Sequence, residues 1–317
     1  MAGMTAVVLD GTLQYRTDWA EPEPQKGEAI IRPTLVGICK TDLELIKGYM
    51  GFRGVLGHEF VGVVESCSDP AWVGKRVVGE INCPLPGYEE GDARHAEQRT
   101  VLGILGRDGV MAQRFALPVA NLLEVPEILE DRKAVFSEPL AAAYEIEEQM
   151  GTLPDRALVM GDGKLGVLCA LALADRGLEV TLVGKHPAKL EKVADKVTTV
   201  RLQNLDTLPH DFPLVVEATG SSSGLAQALT RVRPRGTVVL KTTVADPHAL
   251  DLAPVVINEL TLLGSRCGRF EPALKALAEG RIDPTFLIED SLPLERALEA
   301  FERAERAGAG KILLEVC

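Results

Sequence analysis

The feature of this sequence that most constrains its fold is a glycine fingerprint directly after an apolar run. Residues 157–160 suit a buried strand, and Gly161, Gly163 and Gly166 follow in the spacing G-x-G-x-x-G before a helix-forming stretch. The first glycine permits a tight turn, the second lets backbone approach a pyrophosphate, and the third allows close helix packing. The phosphates then lie at the helix N-terminus. The sequence therefore predicts a dinucleotide-binding site.

Strand-like and helix-like segments alternate from residue 156 onward. Such alternation predicts a doubly wound parallel sheet with helices on both faces, an α/β fold. The helices include 165–175 and 225–231. The predicted strands are 157–160, 179–183, 214–217, 237–240 and 261–264.

The segment before this region has no sustained helical period. Its short apolar and β-branched runs are broken by Pro and Gly, which predicts an antiparallel, barrel-like domain. The predicted strands are 5–9, 28–36, 62–66, 76–80, 112–117 and 121–125. Helices over 271–279 and 294–305 and a last strand over 311–316 are predicted to close the chain.

Composition excludes several classes of protein. The 317 residues suffice for two domains, and the formal net charge of -12 argues against nucleic acid or an anionic membrane as the main partner. No apolar run reaches the roughly 18 residues needed to cross a bilayer, so a cytoplasmic protein is expected. The cysteines show no close pairing pattern, which predicts reduced thiols. They are Cys39, Cys67, Cys83, Cys169, Cys267 and Cys317.

Four scattered side chains are candidate metal ligands: Cys39, His58, Glu59 and Glu138. A thiolate, an imidazole and carboxylates suit zinc, and three protein ligands with a fourth position left for water or substrate describe a catalytic site. Either Glu59 or Glu138 can be the direct carboxylate ligand, or can reach the metal through water. The sequence therefore predicts a catalytic zinc site in the first domain.

Five motifs carry a resemblance to a known family. They are Gly-x-Cys-x-Thr-Asp at 37–42, Gly-His-Glu at 57–59, Glu-Pro-Leu at 138–140, the glycine fingerprint, and Glu-Ala-Thr-Gly at 217–220. In this order the chain resembles the medium-chain zinc-dependent alcohol dehydrogenase family, in the branch of threonine, sorbitol and glucose dehydrogenases. The resemblance implies a GroES-like β-barrel catalytic domain over 1–143, a Rossmann domain over 144–266, and a return to the catalytic domain over 267–317.

The resemblance also implies an activity, namely hydride transfer between a secondary alcohol or polyol and a nicotinamide cofactor. Thr41 matches the first proton relay of the family, whereas Glu44 stands where the family often has a histidine as the next relay. The lobe that binds structural zinc through four cysteines in the family keeps only Cys83 here, and His95 adds too few ligands. We therefore predict one zinc ion per chain.

The end of the second predicted strand indicates the cofactor preference. An acidic residue there binds the ribose of NAD, but this chain reads Gly184-Lys185-His186, which makes room for a 2'-phosphate and offers positive charge. NADP is therefore predicted, with NAD as the alternative, and Gly184→Asp is expected to reverse the preference. By resemblance, further cofactor contacts are Lys164, Leu165, Ala218, Thr219, Thr242, Thr243 and Arg266.

Two other functions share this architecture. A metal-free reductase of the quinone oxidoreductase type lacks the ligand set, and an NADP(H)-sensing protein would retain the fold without catalysis. The resemblance further implies a homodimer or homotetramer in which the strand 261–264 pairs with its copy in another subunit, since an open apolar edge strand promotes aggregation. The alcohol or carbonyl substrate is not determined by the sequence.

Overall fold

The computed structural model describes residues 3–85, 87–88, 92–243 and 250–316. Numbered in chain order, the strands are β1 (Met4–Asp10), β2 (Thr12–Trp19), β3 (Glu28–Gly37), β4 (Gly54–Val55), β5 (Glu59–Cys67), β6 (Arg76–Gly79), β7 (Asn82–Pro84), β8 (Arg99–Leu102), β9 (Gly106–Arg107), β10 (Phe115–Pro118), β11 (Leu122–Glu124), β12 (Arg156–Met160), β13 (Glu179–Gly184), β14 (Thr198–Arg201), β15 (Phe212–Glu217), β16 (Val232–Leu240), β17 (Thr261–Gly264), β18 (Ile288–Pro293) and β19 (Lys311–Glu315).

The α-helices are short, apart from two that begin near the third ligand motif and at the glycine fingerprint. They are α1 (Lys40–Ile46), α2 (Asp131–Ala134), α3 (Ser137–Met150), α4 (Lys164–Asp175), α5 (Pro187–Glu191), α6 (Gly224–Leu229), α7 (Ala253–Ile257), α8 (Phe270–Ala278) and α9 (Ala297–Glu305). Within the described parts of the chain, none of these helices has the length and apolar character needed to cross a membrane.

The chain forms two compact units, of which the first comprises Met1–Glu138 and Phe270–Cys317. Its largest sheet has the strand order β11-β6-β5-β3-β19-β18, and β10 also pairs with β3. The smaller sheets have the orders β2-β1-β4 and β7-β8-β9. Because the C-terminal strand β19 pairs antiparallel with β3, the last residues of the chain belong to the same sheet as residues near its start.

The core of the first unit lies around β3 and β5. Most of the apolar residues of β3 are buried, among them Ile31 and Val36 with no exposed surface. Phe60 of β5 and Phe115 of β10 meet edge to face, with ring centroids 4.8 Å apart, an arrangement that contributes about 0.5–1.5 kcal/mol beyond area burial. These contacts fix the positions where β3 ends and β5 begins, which is where the candidate metal ligands lie.

The second unit, Pro139–Arg269, contains a parallel sheet with the strand order β14-β13-β12-β15-β16-β17. In order of occurrence within this unit the strands therefore run 3-2-1-4-5-6, the doubly wound order of dinucleotide-binding folds, with the switch point between β12 and β15. All six residues of β15 are buried, as expected for a parallel strand covered on both faces. The predicted doubly wound α/β sheet is confirmed.

The structure differs from the sequence-based expectations in several places. Strands β2 and β14 and helix α1 were not predicted, because their short, partly polar sequences carry no clear apolar period. The two units divide after Glu138 and after Arg269, whereas the domain boundaries implied by the resemblance fall after residues 143 and 266.

Candidate metal centre and nucleotide site

Three of the four candidate metal ligands, Cys39, His58 and Glu59, lie close together where adjacent elements of the first unit begin or end. Cys39 precedes α1 as its N-cap, and His58 and Glu59 stand at the start of β5. One ligand atom from each of these side chains lies within 4.8 Å of the others. His58 and Glu59 are buried, and Cys39 is partly exposed. A thiol, an imidazole and a carboxylate at this spacing form a donor set suited to zinc.

Asp42, which lies on the first turn of α1, organises two of these ligands. It is fully buried, its Oδ2 accepts a hydrogen bond from the backbone N–H of Cys39 at 2.8 Å, and its Oδ1 lies 3.5 Å from Nδ1 of His58. A carboxylate beside the second nitrogen of a ligating histidine fixes the orientation of the ring. Asp42 therefore positions both Cys39 and His58.

Glu59 forms a buried ion pair with Lys311, the first residue of β19. The pairing register places Gly37 opposite both Glu59 and Leu313, which brings β3, β5 and β19 together at this point. A Cβ atom at Gly37 would lie 2.2 Å from Oε2 of Glu59, so a side chain at that position would displace the carboxylate. The glycine of the Gly-x-Cys motif therefore makes room for Glu59.

The electrostatics of this cluster favour a cation. Burial acts to lower the pKa of His58, but Asp42 and Cys39 raise that pKa well above its usual value. Burial likewise opposes the charge of Lys311, whereas Glu59 and Cys39 raise its pKa. Among the described residues, Asp42 Oδ1, His58 Nδ1 and Glu59 Oε1 are buried atoms without a hydrogen-bond partner. Asp42 Oδ1 and His58 Nδ1 face each other at 3.5 Å. Glu59 Oε1 is therefore the atom whose cost of burial a bound divalent cation would offset.

Glu138 is the predicted ligand that lies outside the group of three. It occupies the first turn of α3, where a carboxylate is favoured by the helix dipole, and its charge raises the pKa values of Lys311 and Glu80. Its role as a ligand stays a prediction. Glu80 is itself unusual, since burial raises its pKa to about 8 although Arg94 acts in the opposite direction.

The two predicted proton-relay positions differ in their surroundings. The hydroxyl of Thr41 lies 3.7 Å from Sγ of Cys39, next to the ligand cluster. Glu44 instead pairs with Lys40 at 2.8 Å and Lys47 at 3.5 Å, and the hydrogen bond from Lys40 lowers its pKa. A carboxylate with a lowered pKa holds a proton poorly. Glu44 is therefore a poor substitute for the histidine that the resemblance implies as the second proton relay.

The lobe that carries a second zinc in related proteins is only partly described. Pro86, Glu89, Glu90 and Gly91 lie outside the described residues. Cys83 is buried in β7, where its thiol accepts from Nδ2 of Asn121 at 3.7 Å and burial raises its pKa to about 11. A thiol held in its neutral form is a poor metal ligand. One metal ion per chain stays a prediction.

The fingerprint glycines of the second unit form the expected cradle. A Cβ atom at Gly161 would lie 2.4 Å from the backbone oxygen of Ala218, and one at Gly166 would lie 2.0 Å from that of Gly161. Gly163 precedes α4 and has open space where a Cβ atom would be. The first and third glycines therefore allow close packing, and the second leaves room for a pyrophosphate at the helix N-terminus.

The loop after β13 contains a contact that the sequence did not indicate. Asp162, between the first two fingerprint glycines, accepts a hydrogen bond from the backbone N–H of His186 at 2.6 Å, and both its carboxylate oxygens lie 3.1 Å from Nδ1 of that histidine. Lys185 is exposed beside it. Gly184, Lys185 and His186 thus remain together at the end of β13, with a buried carboxylate beneath them.

The other predicted cofactor contacts lie at later strand ends of the same unit. Thr219 donates a hydrogen bond from its hydroxyl to Glu217 at 2.6 Å, and Thr242 accepts one from the backbone N–H of Gly220 at 3.0 Å. The second of these bonds joins the loops after β15 and β16. The remaining predicted contacts are exposed or partly exposed, and their roles stay predictions: Lys164, Leu165, Ala218, Thr243 and Arg266.

Comparisons with known proteins agree with this architecture. Residues 25–127 match the alcohol dehydrogenase GroES-like domain, and residues 132–314 match the glucose dehydrogenase C-terminus. The chain is 31% identical to glucose 1-dehydrogenase of Thermoproteus tenax over 89% of this chain and 90% of that protein. It is 27% identical to L-galactonate-5-dehydrogenase of Escherichia coli over 89% of each chain. Alcohol dehydrogenase TADH from Thermus sp. ATN1 is similar in structure, with a TM-score of 0.87, 27% identity, and coverage of 99% and 100%.

These similarities define the class of protein. The chain belongs to the medium-chain zinc-dependent alcohol dehydrogenase family, within the branch that contains glucose and polyol dehydrogenases. It is an oxidoreductase that acts on CH–OH groups of small molecules, and its fold combines a GroES-like domain with a Rossmann-type parallel sheet. The resemblance inferred from the five motifs is confirmed.

Three residues of these sites were not predicted from the sequence. Asp42 could have been found, because it directly follows Thr41 in the Gly-x-Cys motif. Asp162 stands inside the fingerprint, at a position that the G-x-G-x-x-G pattern leaves free. Lys311 had no local signal, because it lies 252 residues from Glu59 along the chain.

Proposed function

We propose that this chain is a zinc-dependent dehydrogenase that transfers hydride between a secondary alcohol, of polyol or sugar type, and NADP(H). The observation that supports this most strongly is the group of Cys39, His58 and Glu59, whose ligand atoms lie within 4.8 Å of one another. Glu59 adds a buried carboxylate oxygen that has no hydrogen-bond partner among the residues described by the structure. A metal-free reductase does not need a partly exposed thiol, a buried imidazole and a buried carboxylate at this spacing.

Different residues of the first unit would hold the metal, orient its ligands and accept the proton. Zinc held by Cys39, His58 and a carboxylate of Glu59 or Glu138 would polarise the substrate oxygen and lower the pKa of the alcohol. Lys311 holds Oε2 of Glu59, which leaves Oε1 for a cation. The hydroxyl of Thr41 lies near Cys39 and is partly exposed, so it can accept the proton of the substrate hydroxyl while it releases its own proton to solvent.

The substrate class comes from the relatives. Glucose 1-dehydrogenase and L-galactonate-5-dehydrogenase are named for polyhydroxylated compounds, and sequence identities of 27–31% over nine-tenths of the chain support a substrate of the same chemical class. A secondary hydroxyl or its ketone on a polyol, sugar or sugar acid is therefore the proposed reacting group.

The cofactor preference comes from the second unit. The end of β13 offers no acidic side chain for the ribose, and Gly184 is followed by exposed Lys185 and half-exposed His186. Charge-assisted hydrogen bonds to a phosphate contribute about 1.5–3 kcal/mol each when well formed. We propose that these two side chains bind the 2'-phosphate of NADP(H).

The test combines metal analysis with a panel of sugars, polyols and simple alcohols. We expect one zinc per chain and NADP-linked activity, and Cys39→Ala should lose both metal and more than about a hundredfold in kcat/KM, because even outer partners of a metal ligand contribute about 10- to 100-fold. Cys67→Ala is the control, since this cysteine lies at the end of β5 and contacts the backbone of Asp69 instead.

Other results would indicate other functions. Two tightly bound zinc ions per chain, or metal and activity retained in Cys39→Ala, would contradict the proposed site. Zinc binding without activity on any substrate of the panel would favour an NADP(H)-sensing protein. Activity without metal would favour a reductase of the quinone oxidoreductase type.

We also propose a symmetric homo-oligomer, a dimer or tetramer, formed through the edge strand β17. Within the described residues β17 pairs only with β16, and the neighbouring helix α7 exposes Val256 by 75% and Ile257 by 76%. Pairing of two copies would cover this apolar edge. Light scattering should show an oligomer at micromolar concentration, and Ile257→Asp should weaken it; a strictly monomeric wild-type protein would contradict this.

A further inference from the structure

Asp162, which follows β12, forms a pair with His186, which follows β13. The proposed function gives a role to His186 but none to Asp162. The side chain of Asp162 is 7% exposed and that of His186 is 45% exposed. Oδ2 of Asp162 accepts from the backbone N–H of His186 at 2.6 Å, and both carboxylate oxygens lie 3.1 Å from Nδ1 of the ring. A buried carboxylate therefore holds both the backbone and the ring of a half-exposed histidine.

Asp162 also explains why residue 184 is a glycine. A Cβ atom at Gly184 would lie 2.4 Å from Cβ of Asp162 and 2.5 Å from its Oδ2. The Asp162 side chain therefore occupies the space that a side chain on residue 184 would need. The expected reversal of cofactor preference by Gly184→Asp stays a prediction, but that variant must also displace Asp162 and the loop that it holds.

The hydrogen bonding of the ring leaves one nitrogen for a ligand. An ionised carboxylate can only accept hydrogen bonds, so Nδ1 of His186 carries the hydrogen that Asp162 accepts. Nε2 is the other polar atom of the ring, and in the imidazolium form it is a second donor. A carboxylate that orients a histidine toward a charged ligand is the arrangement found behind many metal-ligating histidines.

We propose that Asp162 is a positioning residue for the 2'-phosphate of NADP(H), which holds His186 so that Nε2 donates to the phosphate beside the ammonium group of Lys185. This inference rests on the proposed preference for NADP(H). According to this inference, the buried carboxylate of Asp162 strengthens the binding of the 2'-phosphate. Direct charge repulsion between the carboxylate and the phosphate would weaken that binding, so positioning and repulsion can be separated by experiment.

The experiment compares two probes that differ only in the 2'-phosphate, adenosine 2',5'-bisphosphate and adenosine 5'-monophosphate, by titration calorimetry on the full chain. The wild type should bind the bisphosphate at least about tenfold more tightly. Asp162→Ala should weaken the bisphosphate by about tenfold and change the monophosphate by less than about twofold. Asp162→Asn keeps the shape of the side chain and an accepting oxygen, so its affinity for the bisphosphate should lie between those of the wild type and Asp162→Ala. This variant tests the inference if the alanine variant does not fold.

A double variant shows whether Asp162 acts through the histidine. In the His186→Ala background, Asp162→Ala should cause no further loss of bisphosphate affinity, because coupled residues are not additive. Lys185→Ala is the matched control, in which the effect of Asp162→Ala should persist, since in the described part of the chain no hydrogen bond or ion pair joins the side chains of Asp162 and Lys185.

Each other outcome contradicts the inference in a distinguishable way. A wild type that binds both probes equally would overturn the proposed NADP(H) preference, and this inference with it. A wild-type preference together with an equal loss for both probes in Asp162→Ala and Asp162→Asn would mean that Asp162 only maintains the loop. Tighter bisphosphate binding in either variant would show that the carboxylate repels the phosphate.

Discussion

The candidate metal centre and the nucleotide site differ in how their parts are brought together. The metal centre gathers buried charged groups from β5, β19 and the start of α1, and its ion pair joins residues 252 positions apart. The part of the nucleotide site around the glycine fingerprint lies within a short stretch, where the Asp162–His186 contact spans 24 positions. Its cradle consists of glycines that leave space, and its basic side chains Lys185 and His186 are exposed or half-exposed, whereas Asp162 is buried.

This difference has an energetic consequence. A buried charge is tolerated only while its partner is present, so single changes at the metal centre are expected to affect folding as well as metal binding. Exposed charges of the nucleotide site contribute little to stability, so changes there are expected to affect ligand affinity alone. The glycines and Asp162 are exceptions in the second unit, because the space that the glycines leave is also needed for packing and the buried Asp162 holds the loop after β13.

The largest effect is expected for Lys311→Met, which leaves Glu59 buried without its partner. Removing one member of a buried ion pair costs about 3–5 kcal/mol, and we expect a loss of that size in the free energy of unfolding. Urea unfolding followed by tryptophan fluorescence measures it, because both tryptophans, Trp19 and Trp72, lie in the first unit.

The matched control is Lys275→Ala, which breaks an exposed pair between Lys275 of α8 and Glu279 just after that helix, also in the first unit. Exposed pairs contribute at most about 1 kcal/mol, so little change is expected. A Lys311 variant that loses no more stability than the Lys275 variant would remove the energetic distinction between the buried centre and the surface.

An intermediate effect is expected from two glycines of the fingerprint. In Gly166→Ala the new methyl group meets the backbone oxygen of Gly161 at 2.0 Å, and overpacking of this kind costs about 1–3 kcal/mol of stability. In Gly163→Ala the methyl group meets nothing within 4 Å and φ is -70°. Thermal unfolding by circular dichroism should therefore change only in the first variant.

The same pair sharpens the functional reading of the cradle. The methyl group of Gly163→Ala enters the space proposed for the pyrophosphate, so NADPH affinity measured by fluorescence titration should fall by about tenfold in a stable protein. Unchanged affinity in that variant, or unchanged stability in Gly166→Ala, would show that these glycines do not have the separate roles described above.

The smallest effect is expected for Glu80→Gln, a test of whether buried charge in the first unit extends beyond the ligand cluster. Burial raises the folded-state pKa of Glu80 to about 8, and its Oε2 is buried without a hydrogen-bond partner among the described residues. The folded state therefore binds this proton more tightly than the unfolded state, so wild-type stability should fall as the pH rises from about 4.5 to 8.

Glu80→Gln should remove that pH dependence. The expected gain at pH 8.5 is about 1–2 kcal/mol over wild type, because relaxation and water entry reduce the full effect of about 1.4 kcal/mol per pKa unit. Urea unfolding of both proteins at pH 5 and pH 8.5 measures the difference. Parallel pH profiles would show that Glu80 titrates normally in the folded protein.

Several parts of the fold and of both sites could be predicted before the structure. The strands of the second unit are apolar runs, and the bounds of β12, β13, β15 and β17 were predicted to within about two residues, whereas β16 begins at Val232, before the predicted start at residue 237. Cys39, His58 and Glu59 were predicted as one site and lie together. Strand β14 was not predicted, because its sequence has no apolar alternation. In the structure this strand is partly exposed.

The sequence by itself determined the features that depend on neighbouring residues. These are the glycine cradle, the alternation of strands and helices, and the identity of the donor groups, since backbone freedom and side-chain chemistry are local properties. Only the tertiary structure decided which distant groups meet. Lys311 reaches Glu59 because β19 pairs with β3 beside β5, and Asp162 reaches His186 because β12 and β13 are adjacent parallel strands. Both contacts depend on strand pairing between separate segments, and no local pattern of residues specifies that pairing.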